Sequence, residues 1–141
     1  MDDPGGAGED TLSDAFRGIA RRLRHATAEA LAPWDVTPSQ ARALGVLRRG
    51  GDLRAGELAE RLRIAPRSAT DVVDSLAARG WIDRAPDPAD RRATLVRLTE
   101  AGRDLADAIR AARAAEAESF FTVLDDADRA ELRRILALLA R

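Results

Sequence analysis

The stretch from Arg54 to Gly102, RAGELAERLRIAPRSATDVVDSLAARGWIDRAPDPADRRATLVRLTEAG, leaves the chain few ways to fold. Apolar residues at Ala55, Leu58, Ala59 and Leu62 fall at i, i+3, i+4 and i+7, one face of a short helix. The same spacing returns at Ala69, Val72, Val73 and Leu76. Only Arg63-Ile64-Ala65-Pro66 stands between the two segments. Proline is tolerated in the first turn of a helix, where its missing N–H has no partner anyway, so Pro66 is placed to open the second helix. Arg79-Gly80 closes it, since glycine suits the residue just past a helix end. Two helices joined across so short a turn are a helix-turn-helix candidate.

The second helix carries an outer face of Arg67, Ser68, Thr70, Asp71, Asp74 and Ser75. Ser, Thr and Asp are poor mid-helix residues, so stability alone does not select this face. Short hydroxyls beside one Arg at a helix N-terminus suit a DNA major groove, where amide N–H groups meet phosphate and Arg reaches guanine. The plainer reading is a poorly optimised solvent face. Beyond the helix, Trp81 to Ala85 reads as a strand and Ala93 to Thr99 as a second, rich in β-branched residues. PDPADRR lies between them, with Arg91 and Arg92 at or near the tip. Paired arginines on a loop can enter a minor groove, where narrow A·T tracts concentrate negative potential. An isolated charged hairpin would be read as a solvated turn; behind a helix-turn-helix it reads as a wing.

These residues resemble the MarR family of bacterial winged-helix transcriptional regulators. The matching runs are GELAERL (Gly56 to Leu62), Ser68 and Thr70, SLAARGWIDR (Ser75 to Arg84), and DPADRRATLVRLTEAGR (Asp87 to Arg103). The last is the most specific, with the pattern Asp-x-x-Asp-Arg-Arg followed by Leu-Thr-x-x-Gly. Thr37-Pro38 with Gln40 and Leu44 fits a further family pattern upstream. Asp71 departs from it, standing where many members carry a basic or neutral residue. The resemblance implies a homodimeric, ligand-responsive repressor or activator that binds double-stranded DNA, with repression on a palindromic operator the favoured expectation. The expected DNA-contacting set is Pro66, Arg67, Ser68, Thr70 and Asp71 on the reading helix, Arg91 and Arg92 on the wing, and Arg54 at the head of the preceding helix. The resemblance also implies a pocket for a small aromatic or anionic effector between the dimer helices and the winged lobe. Phe16, His25, Trp34 and Arg42 are its candidates, and each has an ordinary packing or surface role as the alternative.

Charge distribution bears on the DNA reading. The net charge is −1, which by itself argues against a nucleic-acid binder. Residues 48 to 103, however, hold twelve Arg against nine acids, while both flanks are acidic. All 23 basic residues are Arg, the side chain that recognises phosphate and guanine bidentately. Asp71, Asp74, Asp83, Asp87 and Asp90 keep a second class open, a winged helix used for protein contact or as an antirepressor without specific DNA binding. Asp90 is expected to pair with a wing arginine and brace the loop.

The flanks complete an α-α-α-α-β-β-α-α order, mainly α with a small β-hairpin wing. Met1 to Asp10 is glycine-rich and acidic, with almost nothing to bury, and is expected to be disordered. Residues 11–141 then form a single domain, with the winged lobe at about 37–99. A helix from about Leu12 to Leu31 carries a stripe of Leu12, Phe16, Ile19, Leu23, Ala26 and Ala30, and Pro33 ends it. Thr37, Pro38 and Gln40 open the next helix as a capping box, and Gly50-Gly51 closes it. A very short strand is expected near Leu53. Thr99 caps a long helix to about Phe121, and a last helix from Asp125 or Asp126 to Ala140 repeats an apolar stripe at Leu132, Ile135, Leu136 and Leu139. Stripes at both ends of one chain either cover each other or mark a dimer interface. Helix-turn-helix readers bind paired half-sites as two-fold dimers, which favours dimerisation helices at about 12–31 and 100–141.

Other chemistries find little support. There is no Cys, no Tyr and a single His, His25, so thiolate and histidine-rich metal sites have no ligands to draw on. No serine lies in Gly-x-Ser-x-Gly and no glycine run makes a phosphate loop, so neither an enzyme nor a bound cofactor is expected. No apolar run approaches the ~20 residues of a membrane span. A cytoplasmic location is expected.

Overall fold

Residues 11–141 are described by the structure, a computed structural model, and the expected tail at 1–10 lies outside them. Helix α1 (Leu12–Glu29) starts at Thr11, whose side chain accepts the N–H of Asp14. It ends two residues before the predicted Leu31. Pro33 has no N–H to donate to the Glu29 carbonyl, so the α-helix stops there, and Ala32–Trp34 form a 3-10 turn instead. Helix α2 (Pro38–Gly50) opens with the predicted capping box: Gln40 N–H donates to Thr37, and Thr37 N–H donates to the Gln40 side chain. Gly51, at φ 73° and ψ −157°, takes a positive-φ conformation open mainly to glycine, which lets the chain leave α2.

Strand β1 (Leu53–Arg54), helix α3 (Ala55–Leu62) and helix α4 (Pro66–Ala78) follow, then strands β2 (Ile82–Asp87) and β3 (Asp90–Leu98). Pro66 opens α4 as predicted. The sheet is antiparallel with order β1-β3-β2, and β1 pairs Leu53 with Val96 and Arg54 with Leu95. Helices α5 (Glu100–Phe120) and α6 (Asp126–Leu139) complete the chain, capped by Thr99 and Asp125.

The hairpin differs from its sequence reading. PDPADRR is not one long loop: β2 runs on to Asp87, β3 starts at Asp90, and only Pro88-Ala89 turn. Pro86 is accommodated because β2 is an edge strand, where a missing N–H costs no ladder bond on the solvent side. Trp81 precedes the strand.

The core lies in the winged lobe. Leu44, Leu58, Leu62, Val73 and Leu76 are fully buried, joined by Leu53, Ile82, Val96 and Leu98 from the sheet. Leu105, Ala106 and Ile109 bring the first half of α5 into the same cluster. Gly102 is required there, because a Cβ would collide with the Trp81 carbonyl oxygen. The terminal helices differ sharply. No residue of α1 or α6 is buried, and Leu12, Phe16, Ile19, Ile135, Leu136, Leu138 and Leu139 stand exposed. Helix α1 packs along α5, and an ion pair between Arg129 and Glu118 at 3.0 Å ties α6 back to α5.

Candidate nucleic-acid interface

Helix α4 is one-sided. Ala69, Val73 and Leu76 are buried against the core, which turns Arg67, Ser68, Thr70 and Asp71 outward to solvent. Its N-cap, Ala65, offers no side-chain acceptor, so the first-turn N–H groups are left for an outside partner. Thr70 donates its hydroxyl proton to the Pro66 carbonyl at 3.1 Å. It therefore presents a methyl and lone pairs, which suits a thymine methyl better than a phosphate. Ser75 belongs elsewhere, contrary to its place on the predicted outer face. It is half-buried, accepting from Gln40 Nε2 at 2.8 Å and donating to the Val72 carbonyl.

The wing is braced by ion pairs. Arg97 Nε donates to Asp83 at 2.6 Å, and Arg84 pairs with Asp74, which joins β2 to α4. Arg54 directs Nε and Nη2 to one oxygen of Asp87, at 2.9 and 2.7 Å. The other Asp87 oxygen accepts the Ala89 N–H at 2.9 Å, and the Asp90 carboxylate lies 3.9 Å from Arg54. The Ala89 N–H and then the Arg54 guanidinium hold the Asp87 carboxyl below its usual value, and Asp87 in turn raises Arg54. Asp83 likewise raises Arg97.

These pairs answer the problem posed by five aspartates near a phosphate backbone. Asp74, Asp83, Asp87 and Asp90 each face an arginine, and only Asp71 has no ion pair among the described residues. Arg67, Arg91 and Arg92 form none either, so the charge left to the reading helix and wing tip is mostly positive. Arg91 and Arg92 lie in β3 just past the turn and are both exposed. As successive strand residues they point to opposite faces. The Asp90 side chain accepts the Arg92 N–H at 3.0 Å. Arg54, predicted as a DNA contact, spends two donors inside the protein.

The effector candidates are not brought together. A cleft of about 590 Å³ runs between α2 and α5, and Arg42 lines it together with Arg48, Arg49, Arg61, Arg110 and Arg113. No Asp or Glu lines it. Arg42 Nη2 donates to the Leu62 carbonyl at the end of α3, 2.7 Å away, and Arg48 pairs with Asp107. Arg113 Nε is buried with no partner, and burial lowers its affinity for its proton. His25 instead lines a separate cavity of about 430 Å³ with Arg21, Arg22 and Phe120, and pairs with Glu29 at 3.3 Å. Trp34 is half-buried against the core, and Phe16 is exposed on α1. The arginines of α5 escaped the sequence reading. Arg110 and Arg113 sit three apart in an Ala-rich run, a signal that two cations share one face. Among the described residues no cluster of acids or His has metal-holding geometry, and no helix is long and apolar enough to cross a membrane.

A helix-turn-helix with a braced wing and terminal helices defines the class as a winged-helix regulator. The sequence profile described as the MarR family matches residues 34–93. An HTH-type transcriptional regulator of Mycobacterium tuberculosis is 41% identical over 102 residues, covering 72% of this chain and 68% of that protein. The multiple antibiotic resistance protein MarR of Salmonella typhimurium is 38% identical over 72 residues, 51% of this chain and 50% of that one. The solved structure of a MarR family protein from Bacillus stearothermophilus superposes with a TM-score of 0.81 at 28% identity, covering 92% of this chain and 90% of the other. This chain belongs to the MarR family of transcriptional regulators.

Proposed function

We propose that the protein is a sequence-specific repressor that binds a palindromic operator in double-stranded DNA as a homodimer, in the cytoplasm, and releases it on binding a small effector. One observation carries the DNA reading: Asp74, Asp83, Asp87 and Asp90 around α4 and the wing are paired internally, with Asp71 the exception, whereas Arg67, Arg91 and Arg92 form no ion pair among the described residues. Counterion release at phosphates then gives a linear fall of log affinity with log salt. Duplexes enriched by the protein from a random pool provide the test. The expected result is a palindromic motif bound with a steep salt slope. Binding without salt dependence, or no motif, would favour a protein-contact module.

The homodimer is supported by the apolar faces of α1 and α6, which this chain alone leaves in water. Ligand response is supported by the arginine-lined cleft. An anion drawing Arg42 away from Leu62 would loosen the end of α3 directly before the turn into α4. Aromatic carboxylates such as benzoate are the probe: they should lower affinity for the enriched duplex, and Arg113→Met should abolish the response.

A further inference from the structure

The geometry points to Arg54 as a positioning residue: its ion pair with Asp87 sets where the wing arginines lie, and it does not itself bind DNA. This rests on the reading of the hairpin as a DNA-contacting wing. Strand β1 has only two residues, which pair with Leu95 and Val96. The outer part of the hairpin, from Pro86 and Thr94 to the turn, therefore has no third strand beside it. Two-stranded ribbons are marginally stable alone. A register shift between Pro86 and Asp87 adds a local twist just where Arg91 and Arg92 begin. Something has to hold this end.

The Asp87 carboxylate does so from both sides. It is the one buried charged residue among those described. Through Oδ1 it accepts the Ala89 N–H and shapes the turn; through Oδ2 it takes both Arg54 donors. Arg54 is anchored in its own right, because its N–H donates to Glu57 Oε2 at 2.8 Å in the first turn of α3. Asp90 stands near the same guanidinium and accepts the Arg92 N–H. A continuous set of bonds thus runs from the start of α3 through Arg54 and Asp87 to the backbone that carries Arg91 and Arg92. Arg54 and Asp87 are 33 residues apart, and their pairing fixes the wing tip against the helix-turn-helix.

Asp87→Asn separates the two roles by sign. Removing a negative charge beside DNA should tighten binding if the wing region acts only through its charge. If Arg54 positions the wing, the same change loosens the tip and weakens binding. The assay is binding of the full chain to a duplex enriched by the wild-type protein, across a salt series. Arg54→Met and the Arg91→Ala, Arg92→Ala double variant run beside it, with circular dichroism checking the fold. The expected result is about a tenfold loss for Asp87→Asn, no further loss when Arg54→Met is added, and a salt slope for Arg54→Met matching that of the double variant, as a lost wing predicts. Tighter binding by Asp87→Asn would overturn the proposal. So would a slope change of about one phosphate for Arg54→Met, distinct from that of the double variant, because that is the mark of a direct contact. Should Asp87→Asn fail to fold, the slope of Arg54→Met decides by itself. Wild-type affinity and slope in the double variant would show that the wing does not touch DNA. That outcome sinks the reading of the wing, and this inference with it.

Discussion

The winged lobe and the terminal helices are built to different degrees of completion. In the lobe, helices α2 to α4 and the sheet bury Leu44, Leu58, Leu62, Val73 and Leu76 entirely, and Asp74, Asp83, Asp87 and Asp90 find arginines. Helices α1 and α6 carry apolar stripes of similar quality yet bury nothing fully. The same periodicity therefore has two destinies. A stripe that meets its partner within the chain becomes core, and one that does not stays exposed, the face assigned to the proposed homodimer.

Substitution of one leucine in each region sharpens this difference most. Leu76→Ala should cost roughly 2–5 kcal/mol of stability, since the surrounding core cannot fully collapse into the space. That loss should be the same at every protein concentration. Leu139→Ala, on the exposed face of α6, should lower the melting temperature of a concentrated sample and converge with wild type on dilution below both dissociation constants, because it acts through association. Calorimetry over a dilution series checks both. Removing Asp126 to Arg141 extends the test: sedimentation should show monomers or aggregates, and a stable folded dimer would break the comparison.

Within the lobe, the proposed function divides DNA contact between the wing and α4. The Arg91→Ala, Arg92→Ala double variant should lose on the order of 1 kcal/mol per arginine, alike for all duplexes, with a shallower salt slope. Fluorescence anisotropy with enriched and scrambled duplexes measures it. A loss confined to the enriched duplex would reassign these arginines to base reading.

The smallest expected effect is that of pH on the wing brace. Asp87 has a depressed pKa in the folded protein, held there by the Ala89 N–H and Arg54. Its contribution is therefore fully present above the ordinary carboxylate value, ~4, and is lost as pH falls through the lower folded value. The stability difference between wild type and Asp87→Asn should be constant near neutrality and shrink as pH drops below about 4. Urea titrations at a series of pH values follow it. A difference that persisted unchanged at low pH would mean that the carboxylate charge is not what holds the tip.

Much of the fold was legible because its signals are local. The i, i+3, i+4, i+7 spacing located α3, α4 and α6, and Thr37, Thr99 and Asp125 marked helix starts through bonds spanning three residues. What escaped depends on partners distant in the chain. Asp87 extends β2 and shortens the turn because Arg54 reaches it, and Ser75 faces inward because Gln40 does, 35 residues earlier. Four of the five acids that argued against DNA binding, all but Asp71, are answered by Arg54, Arg84 and Arg97, none of which composition alone could pair. The arginine cleft needs α2, α3 and α5 together, so no single helix revealed it.

Base selection by α4 is the central claim, and Arg67 tests it most directly. It is exposed in the first turn of α4 with no ion pair among the described residues, where it can reach guanine O6 and N7. Binding sites should be selected from one random duplex pool by the wild-type protein and by Arg67→Ala, and both sets sequenced. The account predicts an imperfect palindrome with half-site centres about one helical turn apart. It further predicts that the variant keeps the palindrome but loses preference at one base pair per half-site, a change of roughly 1–3 kcal/mol. Recovery of the same sequences at the same frequencies by both proteins would contradict it.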